Sequence, residues 1–339
     1  MGRRFRPRPL EEQVVVITGA SKGIGLATAR MAARRGASVV LAARGERALR
    51  RAVEEIEATG GRATHCVTDV ADERDVEHLA DVAEREFGRI DTWVNNAAIG
   101  IFARLTQLAS DDARRVFDVT FWGTVNGCQA VIPRLRDRGG VIVNVGSTLC
   151  DRATPLQGMY AAAKHALKGY TDTLRMELEE EGAPIAVSLV KPAAVDTPFY
   201  DHARSYMDVE PRPISPVYAP EVVARAILAC AVRPRRDVYV GSAAWAAGVL
   251  GNVAPRLTDR FMERTMFDAQ RSDRAAPPRR RDNLDAPVDA EGDTERGAWR
   301  GTTYETSLYT EAALHPRATA LAAAGIGLAV AAMVRRARE

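Results

Sequence analysis

At 339 residues with 46% hydrophobic side chains, the chain is long enough for one large α/β domain of roughly 200 to 250 residues plus extra segments. Lysine and arginine number 47 against 44 acidic residues, and a net charge of +3 gives no ground for a nucleic-acid partner. The cysteines Cys66, Cys128, Cys150 and Cys230 are far apart, and none of the five histidines stands at ligand spacing with another ligand, so no metal is expected and a reduced, intracellular protein is the simplest reading.

In chain order, residues 1–11 are a basic N-terminal extension that runs into charge without an apolar stretch, which is not a secretory signal; a cytoplasmic catalytic core is expected. Residues 12–267 alternate short β-branched runs with longer helical stretches. The runs are Val14 to Thr18, Ser38 to Ala42, Ala63 to Val67, Thr92 to Val94, Val141 to Val145, Ile185 to Val190 and Val238 to Val240. The helical stretches are Leu26 to Arg35, Arg47 to Ala58, Asp75 to Phe87, Asp112 to Arg136, Met159 to Glu180 and Glu221 to Val232. This rhythm predicts a doubly wound parallel sheet of seven strands, a Rossmann-type α/β fold with helices on both faces. Asp196 to Pro220, broken by five prolines, reads as a long functional loop with one short helix.

The composition of residues 268–310 shifts to Arg, Asp, Pro and Gly, the signature of a disordered linker. Residues 311–339 form an apolar tail in which Ala318 to Val334 carries no charge and only Thr319 as a polar side chain. As a helix that stretch spans roughly 25 Å, slightly less than a ~30 Å hydrocarbon core, with Arg335, Arg336 and Arg338 beyond it. Membrane contact through the tail, spanning or in the interface, is favoured over docking in a groove of the core.

The first strand leads into Thr18-Gly19-Ala20-Ser21-Lys22-Gly23-Ile24-Gly25 and then a helix, an arrangement in which backbone N–H groups and a helix N-terminus face a pyrophosphate. Where the second strand ends, an NAD site would offer an acid to the ribose hydroxyls, whereas this chain reads Leu41-Ala42-Ala43-Arg44. A guanidinium there suits a 2′-phosphate, with Lys22 as a second cation, so NADP is the expected cofactor; two solvated surface cations are the alternative.

Further along, Ser147 ends the fifth run, and Tyr160 and Lys164 stand four residues apart on one helix face. An adjacent ammonium stabilises a phenolate, which lets Tyr160 exchange a proton with a substrate oxygen. With these motifs in this order, and with Asp69-Val70 after the third strand and Asn95-Asn96-Ala97-Ala98 after the fourth, the chain resembles the short-chain dehydrogenase/reductase family over about residues 12 to 240. The resemblance implies that Ser147 holds the substrate oxygen, Tyr160 is the acid/base, and Lys164 lowers the tyrosine pKa and binds the nicotinamide ribose. It also implies that Asp69 and Val70 meet the adenine and that Asn96 and Ala97 lie along the cofactor. Pro192, Val195 and Thr197 would then adjoin the nicotinamide.

The chain departs from the family pattern twice. Thr120 stands where the family usually has an asparagine that holds a relay water, and Lys191-Pro192-Ala193 replaces the common Pro-Gly, which costs backbone freedom. The expected function is an NADP-dependent oxidoreductase acting on an apolar carbonyl or alcohol; an NADP-binding scaffold or sensor with little turnover is the alternative. Phe199, Tyr200, Tyr206 and Met207 are expected on one wall of the substrate pocket, and Ile99, Phe102, Leu149 and Leu156 on the other. A homo-oligomer is expected.

Overall fold

The computed structural model of the chain describes residues 5–277, 281–289, 294–316 and 319. The seven β-branched runs become strands β1 (Val14–Thr18), β2 (Ser38–Ala43), β3 (Arg62–Val67), β4 (Thr92–Asn95), β5 (Gly140–Val145), β6 (Ile185–Pro192) and β7 (Asp237–Val240). They form one parallel sheet in the order β7-β6-β5-β4-β1-β2-β3. Strands β1, β4 and β5 are buried along their whole length, which is why they read as continuous apolar runs rather than alternating ones.

The helices are α1 (Gly23–Arg34), α2 (Glu46–Ala58), α3 (Glu73–Phe87), α4 (Ser110–Phe117), α5 (Gly123–Leu135), α6 (Gly158–Glu180), α7 (Phe199–His202), α8 (Pro220–Val232), α9 (Ser242–Val253), α10 (Pro255–Ala269) and α11 (Leu308–Leu314). One face of the sheet packs on α1, α2 and α8 through Leu26, Leu49 and Ile227. The other packs on α3, α5 and α6 through Leu79, Val131 and Ala163. Local signals fix the ends: Asp72 caps α3 by accepting the Arg74 N–H at 2.8 Å, and Gly88 closes it at φ 76°. Strand order reverses at β1, which has β2 on one side and β4 on the other, so a crevice opens at the carboxyl ends of β1 and β4.

Three regions differ from the sequence reading. The single helix expected over residues 112–136 is interrupted by a π turn, Asp118–Trp122, between α4 and α5. Helices α9 and α10 follow β7 where no helix was expected; apart from Ser242 and Asn252 near its two ends, α9 is a run of Ala, Gly, Trp, Leu and Val with no polar face for periodicity to detect. The third is 268–310, expected as a disordered linker. Over its described residues it is pinned to the core: Arg271–Ala275 pairs antiparallel with Val209–Pro211, and Thr303–Tyr304 pairs with Val217–Tyr218. Gln270, Leu284, Ser307 and Thr310 are buried. Composition missed this because its charges meet opposite charges on the core, as in Arg204 with Asp282 and Asp285, Arg30 with Glu295, and Glu221 with Arg296.

The long 196–220 loop carries the one short helix expected of it, α7. The apolar stretch Ala318 to Val334 lies, except for Thr319, outside the described residues. Among the described residues no helix is long and apolar enough to cross a membrane.

Candidate active site

The crevice begins at the turn between β1 and α1. A Cβ on Gly19 would come within 2.8 Å of Ala97 Cα, and one on Gly25 within 2.3 Å of Gly19 O, so both must be glycine for the loop to lie this close to the β4 end. The Asn96 side-chain amide donates to Thr18 O at 2.9 Å and Gly19 O at 3.2 Å. The Thr18 hydroxyl in turn accepts the N–H groups of Asn96 and Ala97 at 3.0 and 3.1 Å. Asn96 thus braces the glycine loop from behind. The result is a backbone cradle at the head of α1, the shape that a dinucleotide pyrophosphate requires.

At the end of β2, Arg44 donates to the carbonyl oxygens of Asn283, Leu284 and Asp285, and Lys22 Nζ donates to Val288 O at 2.7 Å. Burial, with Arg115 nearby, holds the Arg44 guanidinium below its ordinary pKa. Arg115 also pairs with Asp69, which lines the crevice. Both expected phosphate-binding cations are therefore at the crevice, in contact with a segment that was expected to be disordered.

At the other end, Ser147 follows β5 and caps a short 3-10 turn, Thr148–Cys150, by accepting the Leu149 N–H at 3.1 Å. Helix α6 presents Tyr160 and Lys164 to the same space. Ser147 and Tyr160 line the same cavity, and the serine hydroxyl favours ionisation of the phenol. Lys164, 2% exposed, places Nζ 5.6 Å from the Tyr160 ring centroid and donates to Val145 O at 2.6 Å. Burial lowers the Lys164 pKa to about 8, with Cys150 opposing it.

The sequence reading had the tyrosine pKa lowered by the lysine. In the structure burial prevails, pushing the phenol above its ordinary value with Cys150 and Tyr200 adding to it, while the Ser147 side chain opposes. Burial therefore keeps the Tyr160 phenol protonated, and a neighbouring positive charge would favour its ionisation.

A buried side-chain chain fixes α6 against the sheet: Asn95 Nδ2 donates to Asn144 Oδ1 at 2.9 Å, and Asn144 Nδ2 to Thr171 Oγ1 at 2.9 Å. Beneath the Ser147 turn, fully buried Lys191 donates to Asp151 at 3.0 Å and to the Tyr239 hydroxyl at 2.9 Å. Thr120 lies on the π turn, completely buried, and its hydroxyl accepts the Ile99 N–H at 3.3 Å and lies 3.2 Å from Ile99 O, to which it donates. Its side chain thus ties the π turn to the 96–100 loop. Ala193 costs nothing, because the non-glycine residue of positive φ among the described residues is Leu156, at 68°.

One cavity of about 600 Å³ joins these parts. Of the expected site residues it is lined by Gly19, Ser21, Lys22, Gly23, Ile24, Arg44, Asp69, Val70, Asn96, Ala97, Ser147, Tyr160, Lys164, Pro192, Val195 and Thr197; Thr18, Gly25 and Thr120 stand behind it. Of the expected substrate wall, Ile99, Leu149, Phe199 and Tyr200 line it. Phe102, Leu156, Tyr206 and Met207 do not: Phe102 packs behind Tyr200 at 6.0 Å, and the Tyr206 hydroxyl turns outward to Asp112 at 2.9 Å. Phe261, Met262 and Met266 of α10 complete the wall. The four-residue spacing of Met262 and Met266, downstream of Pro255 as a helix-start signal, was the clue available in the sequence.

Comparison with known proteins agrees with this arrangement. The family described as "short chain dehydrogenase" matches residues 13–207. An uncharacterized oxidoreductase of Bacillus subtilis, YxnA, is 45% identical over 327 residues, 95% of this chain and 91% of its own. A crystal structure of a short-chain dehydrogenase/reductase from Burkholderia phymatum in complex with NAD superposes with a TM-score of 0.67 at 28% identity, covering 75% of this chain and 96% of that one. An alcohol dehydrogenase from the archaeon Thermococcus sibiricus, complexed with 5-hydroxy-NADP, superposes at 0.59 with 27% identity, covering 67% and 95%. With a family match over more than half of its length and a relative 45% identical over 95% of it, the chain belongs to the short-chain dehydrogenase/reductase family, an NAD(P)-dependent oxidoreductase acting on CH–OH groups.

Proposed function

We propose that the chain is an NADP-dependent carbonyl reductase for apolar ketones or aldehydes, with Tyr160 as the proton-transfer group. The observation that carries this reading is the Ser147–Tyr160 hydroxyl pair, with Lys164 beside it, facing a cavity walled by Phe199, Tyr200, Phe261, Met262 and Met266. The nicotinamide, when bound, supplies or accepts the hydride. Ser147 donates a hydrogen bond to the substrate oxygen, and Tyr160, kept protonated by burial, gives that oxygen its proton as hydride reaches carbon. Lys164 stabilises the tyrosinate left behind and binds the nicotinamide ribose. In the oxidation direction the same charge makes Tyr160 the base.

Arg44 supports NADP: it is a partly buried cation at the end of β2 whose hydrogen bonds go to neutral carbonyl oxygens, so its guanidinium can exchange them for a phosphate. Asp69, Val70, Asn96 and Ala97 line the crevice between the two ends, and Pro192, Val195 and Thr197 form the nicotinamide lip. Thr120 acts by positioning the 96–100 loop. The intact hydroxyl pair and lysine argue against a scaffold without turnover. We further propose that the protein assembles as a homo-oligomer and that residues 318–334 attach it to a membrane. The test is NADPH and NADH oxidation against a panel of hydrophobic and polar ketones and aldehydes: turnover confined to apolar substrates and faster with NADPH than with NADH is expected, and absence of turnover with every carbonyl in the panel would favour the scaffold.

A further inference from the structure

Residues 281–289 lie across the adenosine end of the crevice. Leu284, fully buried, anchors them in the apolar cluster that contains Val70 and Ile99. Arg204 grips the segment through Asp282 and Asp285, and Arg44 and Arg115 both donate to Leu284 O. Four residues beyond Leu284 comes the Lys22 bond to Val288 O at 2.7 Å, and then Asp289. The Asp289 carboxylate accepts the N–H groups of Arg47 and Ala48, each at 3.1 Å, in the first turn of α2. It also packs on Gly45, where a Cβ would come within 2.8 Å of Asp289 Oδ1.

Those donors deserve comparison with the needs of a dinucleotide. The crevice outside the end of β2 is where a cofactor's adenosine ribose sits, and its 2′ substituent faces the residue after the strand, here Arg44, and the head of the next helix, here α2. A 2′-phosphate would seek the Arg44 guanidinium, the Lys22 ammonium and the free N–H groups of that helix. In this chain all three already have partners from one segment, and the helix N–H groups hold a carboxylate, the side-chain group most like a phosphate in charge and acceptor geometry. Asn283, Pro287, Val288 and Asp289 line the same cavity as Gly19, Ser21 and Asp69, so the segment roofs the crevice without filling it.

We infer that Asp289 is a determinant of cofactor choice: its carboxylate stands at the anion position of the adenosine site, so that residues 281–289 and a 2′-phosphate compete for Lys22, Arg44 and the first turn of α2. A cofactor with a bare 2′-hydroxyl binds beneath the closed segment and donates that hydroxyl to Asp289. This inference rests on the proposed role of Arg44 and Lys22 toward NADP and adds a built-in competitor to it. The competitor is covalently attached, so its effective concentration is fixed and it raises the apparent Kd of NADPH by a constant factor.

The experiment uses the full chain and two readouts, cofactor affinity by nucleotide fluorescence and hydrogen exchange of the amides in 281–289. NADPH is expected to speed exchange of this segment and NADH to slow it. Asp289→Asn keeps the shape but loses the charge; it is expected to tighten NADPH about five- to tenfold and to weaken NADH. Leu284→Ser removes the anchor by a separate route and is expected to speed exchange and tighten NADPH in the same direction. Protection of 281–289 by NADPH, or unchanged NADPH affinity in both variants, overturns the inference. The NADP reading fails separately: NADPH affinity in Arg44→Ala equal to wild type removes the phosphate site itself, whereas NADPH affinity that depends on Arg44 but not on Asp289 or Leu284 removes only the competitor.

Discussion

Replacing Lys164 with methionine separates what the active site needs from what the fold prefers. The side chain is 2% exposed, and burial holds its pKa at about 8 against a lysine's ordinary 10.5. Each tenfold change in proton affinity is about 1.4 kcal/mol, so a charged Lys164 costs the fold about 3 kcal/mol wherever both folded and unfolded chains carry the proton. Methionine of similar length removes that cost but leaves Val145 O without the Nζ donor at 2.6 Å, a loss of about 1 kcal/mol. The variant is therefore expected to be more stable by about 2 kcal/mol at pH 7, roughly 4 to 8 °C in Tm for a domain of this size. The pH dependence has a fixed sign. The folded pKa is depressed, so the unfolded chain binds more protons between about pH 8 and 10.5, and wild-type stability gains on the variant across that window. Near pH 10.5 the order should reverse by the value of the lost hydrogen bond. Urea unfolding of both proteins at pH 7 and pH 10 measures this, with equal slopes required for the comparison. A methionine variant that is less stable at pH 7, or a difference that does not change between the two pH values, refutes the reasoning. Turnover should be lost at either pH.

Tyr160→Phe is expected to abolish turnover while NADPH binding, followed by fluorescence titration, stays close to wild type; retained turnover would take the proton role away from this hydroxyl. Thr120→Val strands the N–H and C=O of Ile99, itself 3% exposed, and should lower stability by about 2 kcal/mol together with kcat, both measurable on one preparation. Thr120→Asn, which keeps a donor and an acceptor, should be tolerated. Gly25→Ala forces a Cβ to within 2.3 Å of Gly19 O and 2.7 Å of the Asn96 amide, so NADPH affinity should fall more than about tenfold with the far-ultraviolet circular dichroism unchanged.

The sheet and most of the crevice were legible in the sequence for a physical reason. Parallel strands buried on both faces must be apolar throughout, and a backbone cradle must be built from glycine, so Val14–Thr18 and the Thr18 to Gly25 loop announce themselves. Tyr160 and Lys164 were legible because helix spacing alone puts them side by side. What lay hidden depends on partners far apart in the chain. Asp289 looks like any acid in a polar tract until α2 and Lys22 are seen around it. Leu284 is a lone leucine among Arg, Asn, Asp and Pro, and no periodicity marks it for burial. The direction of the Tyr160 pKa shift was hidden for a related reason: a neighbouring cation can be read from spacing, but the burial that raises the phenol's pKa cannot, and Phe199, whose ring packs 5.3 Å from that of Tyr160, comes from a distant loop.

The π turn at Asp118–Trp122 sets a limit on how this chain can vary in length. Each residue of an α-helix advances the side chains by about 100°, and a π turn absorbs one extra residue without turning the helix beyond it out of phase. On this arrangement α4 presents Val116 to the core, α5 presents Val125 and Val131, Phe121 stacks edge-on against Tyr170, and Trp122 stays half exposed. Deleting one residue from 118–122 would regularise the helix locally, yet it would draw Thr120 away from Ile99 or rotate the whole of α5 against α3. The frame of the long helical stretch is thus locked to the single residue.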